Sequence, residues 1–168
     1  MIPDFAKLAS HLPASFRATA LLRGFGLLHV PLLLSVRPSV TEITDERVEV
    51  KIALNRWTRN HLKSMYFGTL AMGADCVVGL LAVHHVRKRK AKVQFAFKDF
   101  HANFIKRPEG DVLFVCEAGE MVAKVVDEAI ASPDRKNLAV PAYAVLAKNP
   151  KEKVAEFTLT LSLKRGKP

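Results

Sequence analysis

Asp75 is the residue whose type and surroundings point most directly to chemistry. It is the sole acidic residue between Glu49 and Asp99, and it lies in the apolar segment Ser64–Val83. A carboxylate in apolar surroundings is costly to ionise, so its pKa rises and it becomes suited to act as a general base or a nucleophile. The structural alternative is a carboxylate that caps a backbone group or pairs with an arginine across an interface.

The segment that leads into this apolar stretch carries groups that could assist such a carboxylate. It runs Asn60-His61-Leu62-Lys63-Ser64-Met65-Tyr66-Phe67-Gly68. Asn60 and Ser64 are of types that cap helices, and free N–H groups at a helix start can stabilise a developing oxyanion. His61 lies beside them, either as a surface or capping residue or as a catalytic one.

The chain is strongly basic, with 26 Lys and Arg against 16 Asp and Glu and a formal net charge of +10. This charge favours an anionic partner: nucleic acid, a membrane surface or a phosphorylated small molecule. The run Arg87–Lys90 lacks interleaved aromatic residues and the pattern of a recognition helix, so no nucleic acid is expected. A solvated turn is the simpler interpretation of this run, and a contact with the phosphates of a ligand is the alternative. Lys106 and Arg107, before a turn at Pro108, are a second candidate phosphate site, because guanidinium forks match phosphate geometry.

The length of 168 residues is that of one domain. Its two cysteines, Cys76 and Cys116, lie in apolar stretches, which is typical of small core residues in a reduced compartment. No cluster of residues has the spacing of a metal site, so no metal is expected. The first ten residues lack the apolar core of a signal peptide. These features together favour a cytoplasmic protein.

The segment Ser64–Val83 is long enough to span a bilayer, and basic residues follow it. However, Asp75 at its middle would be costly in a membrane, and several glycines weaken its hydrophobicity. A helix that is apolar on all sides can equally form the core of a soluble domain. We therefore expect no membrane span and interpret the segment as a buried helix.

The flanking segments alternate between apolar and polar residues, as half-buried strands do. Lys92–Lys98 alternates, and the pattern resumes over Phe100–Phe104 with opposite parity, which predicts one long strand with a bulge at Lys98-Asp99. The other predicted strands are Arg47–Leu54, Val112–Cys116, Leu138–Ala147 and Val154–Lys164, with turns at 108–111 and 149–152 and a helix over Gly119–Ala131.

Two features qualify this layout. Pro141 inside a predicted strand suits an edge or a bulge, and a helical stretch around Phe5–Leu22, interrupted by Pro13, precedes the strands.

Strands joined by tight turns form an antiparallel sheet, which needs a cover for its apolar face. The long apolar helix is the element able to supply that cover. We therefore predict an α+β hotdog fold, a curved antiparallel sheet wrapped around one long central helix. It forms a single domain over residues 1–168, with an N-terminal helical extension of about residues 1–30.

The residues Asn60 to Gly68, together with Asp75 in Gly-Ala-Asp, resemble hotdog-fold acyl-CoA thioesterases of the phenylacetic-acid-pathway (PaaI-like) branch. The chain looks most like a bacterial domain family of unknown function allied to that branch. In PaaI-like enzymes the helix opens with His-Gly-Gly, and an Asp follows nine residues after the His. Here Tyr66-Phe67-Gly68 stands in place of His-Gly-Gly, and Asp75 follows at that distance.

The resemblance implies a role for each of these residues. Asp75 would be the general base or nucleophile, the backbone N–H groups near Phe67 and Gly68 the oxyanion donors, and Asn60 a group that orients water or the thioester. Tyr66 would replace the His as a hydrogen-bond donor or would pack. The remaining candidates for contact with substrate are His61, Lys106 and Arg107.

The implied function is hydrolysis of an acyl-CoA thioester, with no cofactor beyond the coenzyme A of the substrate. The expected assembly is a homodimer or a dimer of dimers with the site between subunits, the helix of one facing strands of the other. The alternative is a hotdog protein that binds acyl-CoA or another acyl ligand without turnover, which the altered Tyr66-Phe67 pair favours.

Overall fold

The computed structural model describes residues 13–166. Six strands form one antiparallel sheet in the order β1-β2-β4-β5-β6-β3. The elements, in chain order, are α1 (Ala14–His29), α2 (Pro31–Ser35), β1 (Ser39–Ile43), β2 (Val48–Ile52), α3 (Phe67–Lys88), β3 (Val93–Phe104), β4 (Val112–Cys116), α4 (Gly119–Ala131), β5 (Lys136–Leu146) and β6 (Asn149–Arg165).

Helix α3 forms the centre of the protein and packs against β2, β4, β5 and β6. At Gly73 the helix backbone lies against the ring of Phe114, so close that a Cβ there would overlap the ring. By length and composition α3 could cross a membrane, but most of it is buried inside the protein, as in the core helix of a soluble domain. The sheet curved around one long helix confirms the predicted hotdog arrangement.

The bounds of α3 differ from the predicted Ser64–Val83 by about one turn at each end. Ser64 and Met65 are held in the preceding loop, where the Met65 N–H donates to the Pro108 carbonyl at 2.9 Å. Neither Asn60 nor Ser64 caps the helix; Tyr66 occupies the N-cap position without a side-chain hydrogen bond. The helix continues to Lys88, whose ammonium pairs with a carboxylate of the β1–β2 turn.

The strand predictions are confirmed most closely where alternation was strongest. The register of β3 against β6 shifts between Phe97 and Phe100, at the predicted bulge, and β4 and α4 have the predicted bounds. The predicted turn at 149–152 is wrong: the chain turns at 147–148, and Asn149 already pairs with Leu146. A two-residue hairpin leaves β6 free to start five residues earlier than the alternation indicated.

Pro141 lies in an interior strand, between β4 and β6. The last β4–β5 pair is Val115 with Tyr143, so Pro141 lies beyond the paired part of β4. At this position β5 is locally an edge on the β4 side, while on the other side Pro141 is paired with Thr158. The missing N–H of proline is tolerated there because no β4 acceptor faces it.

Strand β1 was not predicted, and α1 extends past the predicted end at Leu22 to His29. The part of the predicted Phe5–Leu22 helix that precedes Pro13 lies outside the described residues. Helix α1 covers the outer edge of β1, where Thr19 Oγ1 accepts a hydrogen bond from the Val40 N–H at 2.8 Å. A helix bound to the strand edge in this way blocks pairing with another strand.

The interpretation of Arg87–Lys90 as a solvated turn holds in part: Arg87, Lys88 and Lys90 are exposed, whereas Arg89 and the two histidines before the run are in contact with neighbouring elements. His84 Nε2 lies 2.9 Å from Asp45 Oδ1, and the buried His85 lies 2.9 Å from the Asp45 carbonyl. Lys88 also pairs with Asp45, and Arg89 pairs with a carboxylate of α4. This part of the basic run therefore ties the end of α3 to its neighbours.

Candidate active site

A cavity of about 490 Å³ lies at the start of α3. Its walls are the loop before α3, the first turn of α3, and the chain from the end of β3 to Pro108. It brings together six of the predicted site residues: Asn60, His61, Tyr66, Phe67, Lys106 and Arg107. The tertiary fold thus joins two segments about 40 residues apart in the chain into one site.

Asn60 organises the loop that forms one wall. Its Oδ1 accepts hydrogen bonds from the Leu62 N–H at 2.9 Å and the Ser64 N–H at 3.2 Å. Its Nδ2 donates no hydrogen bond to any residue in the 13–166 range. The oxygen is therefore committed to the loop, and the amide NH₂ is the part of Asn60 able to bind a thioester carbonyl or a water.

The first two residues of α3 have unused backbone N–H groups; Phe67 lines the cavity, whereas the predicted site residue Gly68 follows it without lining the cavity. The Thr69 and Leu70 N–H groups bond to the Tyr66 carbonyl, whereas those of Phe67 and Gly68 have no acceptor among the described residues. The amides at a helix N-terminus carry partial positive charge. They can therefore stabilise an oxyanion formed in the cavity.

Two aromatic rings stand at this helix start. The Tyr66 and Phe67 ring centroids are 4.7 Å apart, and the Phe67 side chain is 60% exposed. The Tyr66 ring lies over Gly68, so a Cβ at Gly68 would overlap it. The Tyr-Phe pair thus adds apolar surface to the cavity rim and leaves the amides of the helix in place.

Asp75 does not line this cavity. It lies two turns further along α3, about 12 Å from Phe67 along the helix axis. Its carboxylate is half-buried, and burial raises its pKa. Neither a backbone cap nor an arginine partner is found for it among residues 13–166, so the structural alternative has no support within one chain.

The stripe of α3 that contains Asp75 is the partly exposed side of an otherwise buried helix. It includes Met72 and Gly79, and a Cβ at Gly79 would lie 3.9 Å from the rings of Phe95 and Phe97 on β3. The stripe therefore runs beside β3, which is an edge of the sheet. In a single chain Asp75 is therefore half-buried on this stripe, outside the cavity.

The two basic candidates differ in their contacts. Lys106 pairs with Glu152, whereas Arg107 is exposed and has no side-chain partner in the described part of the chain. Both lie at the cavity wall. Arg107 is thus the group with its full hydrogen-bonding capacity available for an anion.

Leu70, in the first turn of α3, and Phe104 and Ile105, at the end of β3, add apolar surface to the cavity wall that was not predicted from the sequence. The exposed Phe104 at the end of a strand was the available signal. The two thiols are unsuited to nucleophilic attack: burial raises the pKa of Cys76, and raises that of Cys116 to about 11. Within residues 13–166, no group of three or more His, Cys, Asp or Glu side chains is placed to hold a metal ion.

Solved structures of similar shape support the fold. A protein of unknown function from Chlorobaculum tepidum has a TM-score of 0.78 at 12% identity, over 90% of this chain and 97% of that one. A thioesterase family protein from Silicibacter pomeroyi has a TM-score of 0.65 at 16% identity, over 91% and 100%. A mutant of a thioesterase enzyme from Staphylococcus aureus has a TM-score of 0.62 at 12% identity, over 80% and 98%.

At these identities the likeness establishes the hotdog fold, and no curated protein matches the sequence. One family model matches residues 18–163, from within α1 to two residues before the end of β6. That model is described as a domain of unknown function, DUF4442. Because the match covers most of the chain, this protein belongs to the DUF4442 family.

Proposed function

We propose that this protein hydrolyses the thioester bond of acyl-CoA substrates. The observation that carries the proposal is the pair of unbonded amides, Phe67 and Gly68, at a helix start beside a cavity with apolar walls. In thioester hydrolysis the carbonyl oxygen becomes an anion in the tetrahedral intermediate, which such donors stabilise. The thioesterases among the proteins of similar fold support the same chemistry.

The second part of the proposal is a homodimer that forms through the β3 edge. Strand β3 is 12 residues long and has no outer neighbour in the described chain. Pairing with β3 of a second copy would cover this edge and the neighbouring stripe of α3. The twofold axis would bring Asp75 of the partner subunit towards the cavity, which completes the site across the interface.

The reaction then needs no group beyond the two chains and a water. Asp75 accepts a proton from the water while the water oxygen attacks the thioester carbon. The oxyanion that forms is bound by the amides of Phe67 and Gly68. The Asn60 NH₂ orients the carbonyl. The C–S bond breaks as the intermediate collapses, and the proton passes to the leaving thiolate, so the products are a carboxylic acid and free coenzyme A. The raised pKa of Asp75 makes its carboxylate a stronger base.

Coenzyme A would be bound through its phosphates at the rim of the cavity. Arg107 is the first candidate, because its guanidinium has no other side-chain partner among residues 13–166. Lys106 would have to share its charge with Glu152. The acyl chain would lie on the apolar side of the cavity, against Phe67 and Ile105.

The direct test is release of free thiol from a panel of acyl-CoA esters of increasing chain length. Arg107→Gln should raise KM for the CoA esters and leave KM for a neutral short-thiol ester unchanged. High salt should also raise KM for the CoA esters alone, because it screens the exposed charge of Arg107. Lys151→Gln, an exposed lysine outside the cavity, is the matched control. Equal effects on both kinds of ester would remove the case for coenzyme A.

The second candidate function is acyl-ligand binding without turnover. The exposed Phe67 ring at the cavity rim favours it, because this ring occupies space beside the amides that a thioester must approach. Tight binding of acyl-CoA without thiol release across the whole panel would establish this function in place of hydrolysis.

A further inference from the structure

One end of the molecule collects exposed apolar side chains. The sheet register places Ile52, Val112 and Leu146 in one row across β2, β4 and β5, and Ser39 at the start of β1 pairs with Lys51, one residue from this row. The segments next to this row, 24–38, 53–66, 105–111 and 147–148, therefore lie at the same end, which we name the mouth end because the cavity opens there. Most of the exposed large apolar side chains belong to it, among them Phe25, Leu27, Leu28, Leu32, Trp57 and Leu62.

The turn between α1 and α2 is the most apolar part of the mouth end. Leu27 and Leu32 are each 64% exposed and Leu28 is 76% exposed, within six residues of chain. Single exposed leucines are ordinary on a protein surface, but a cluster of them marks a site of contact with another apolar phase. The exposed Trp57, 78% accessible, lies at the same end.

The charge of the mouth end is positive. The chain has no acidic residue between Asp4 and Glu42, and none between Glu49 and Asp75. The segments of the mouth end contain two carboxylates, Glu109, which is exposed, and Asp111, which pairs with Lys51. Nearby, Glu152 pairs with Lys106. The exposed basic residues of the mouth end outnumber these carboxylates: Arg37, Arg56, Arg59, Lys63, Arg107 and Lys148.

From this combination we infer that the mouth end docks on an anionic phospholipid surface. Leu27, Leu28 and Leu32 enter the boundary between headgroups and acyl chains, while the surrounding arginines and lysines bind the lipid phosphates. Apolar burial with electrostatic attraction is how interfacial helices bind membranes, and each basic residue near an anionic surface adds to the attraction. A second copy is a poorer occupant because it would bring like charges together.

This docking requires neither the proposed catalytic function nor the proposed dimer, although it shares Arg107 with the proposed coenzyme A site. Helix α1 covers the β1 edge, at the far side of the sheet from β3. Pairing through β3 would therefore leave the α1–α2 turn free. The cavity opens at the same end, so a chain bound to lipid would present its site to molecules in that surface.

Flotation of the full chain with lipid vesicles tests the inference. We expect binding to vesicles with 30% phosphatidylglycerol in phosphatidylcholine, little binding to pure phosphatidylcholine, and loss of binding in 1 M salt, where the Debye length falls to about 3 Å. Leu28→Ser with Leu32→Ser should reduce binding at least about tenfold, because it removes the inserted side chains. Phe16→Ser with Met121→Ser removes two exposed apolar residues outside the mouth end and should change binding less than about twofold.

Trp57 provides a second measurement that needs no variant, since it is the sole tryptophan. Its emission should shift to shorter wavelength with the anionic vesicles and be quenched by brominated lipid. Absence of both flotation and shift would overturn the inference, as would equal loss in the control variant. A change in mass of the Leu28→Ser, Leu32→Ser variant without lipid would instead assign the cluster to contact between copies and also overturn it.

Discussion

The two edges of the sheet are treated in opposite ways. At the β1 edge, Thr19 binds the Val40 N–H at 2.8 Å and Arg23 donates to the Pro38 carbonyl at 2.9 Å, so that α1 occupies the outer side of the strand. At the β3 edge, 12 residues of strand have no neighbour in the described chain. The adjacent α3 stripe with Asp75 is partly exposed as well.

This difference restricts how the sheet can grow. A sheet with two open edges can add copies without end, whereas a sheet with one closed edge can pair only once and gives a closed dimer. Asp75, a carboxylate whose pKa is raised by burial, lies beside the open edge and not beside the closed one. The comparison thus predicts that chemistry depends on the β3 edge and stability on the β1 edge.

The largest effect should come from Asp75→Asn. We expect the thioesterase rate to fall by at least about a hundredfold, because the proton acceptor is lost. The free energy of unfolding should rise or stay equal at neutral pH, since a raised folded-state pKa means that ionised Asp75 costs stability above that pKa. The gain should disappear in acid, where the wild-type carboxyl is protonated. Thiol-release assays and urea unfolding measure the two effects.

A mixture of variants sharpens this test. Asp75→Asn and Asn60→Ala chains, each inactive alone, should recover activity when mixed and allowed to exchange subunits, because one site of each mixed dimer keeps both native residues. No recovery, with exchange of subunits demonstrated, would contradict a site shared across the β3 edge. A wild-type rate in Asp75→Asn would make Asp75 a structural residue.

The next effect concerns assembly. Gly79→Gln should convert the proposed dimer to monomer at micromolar concentration, at least about a tenfold weakening, because a long side chain enters the stripe that faces the second copy. Within one chain a Cβ at Gly79 makes only ordinary contacts. Gly24→Gln, in α1 with open space around its position, is the control. Light scattering gives the masses; an unchanged mass for Gly79→Gln would place the interface elsewhere.

A smaller effect is expected at the closed edge. Thr19→Val should lower the free energy of unfolding by about 1–2 kcal/mol, since the Val40 N–H loses its acceptor. The assembly state and the thioesterase rate of the folded protein should not change. Thr160→Val on β6, a threonine without a side-chain hydrogen bond in the described part of the chain, is the matched control for urea unfolding. A loss of the dimer in Thr19→Val would contradict the prediction that assembly depends on the β3 edge and not on the β1 edge.

The smallest effect is a pH dependence at the turn that joins β1 to β2. Hydrogen bonds from Lys88 and His84 lower the pKa of Asp45 to about 2. A depressed pKa stabilises the fold above the usual value of 3.8, and this stabilisation is lost as pH falls from about 4 to 2. Asp45→Asn should therefore destabilise the protein at pH 6 and have little effect near pH 2, as measured by urea unfolding. A difference independent of pH would mean that the ion pairs do not contribute.

The local elements could be read from the sequence wherever a single period dominates. The alternation of apolar and polar residues in β3 predicted even the position of its bulge, and the four-residue spacing of apolar residues in α4 predicted both ends of that helix. Prediction of helix and strand positions was poorer where contacts between distant segments of the chain determine them. The loop before α3 is held by a hydrogen bond from the Met65 N–H to the Pro108 carbonyl, and β1 is held by contacts with α1; neither contact can be read from a local sequence pattern.

The candidate site divides in the same way. The types and spacing of Asn60, Phe67 and Asp75 indicated a helix start, a carboxylate and a polar group as candidates for one site. They could not show that the Asn60 oxygen is committed to its own loop, because that bond forms only when the chain folds back at Ser64. They also could not show that Arg107 and Phe67 line the same cavity.

The sequence by itself determined the fold class and the residues with chemical potential, because periodicity and residue type act over a few neighbours in the chain. Only the tertiary structure decided which of these residues meet. It separated Asp75 from the cavity by two turns of α3, because positions on one helix keep a fixed spacing whatever their chemistry. It also closed one edge of the sheet and left the other open, because edges are defined by strand order, which depends on contacts between distant segments.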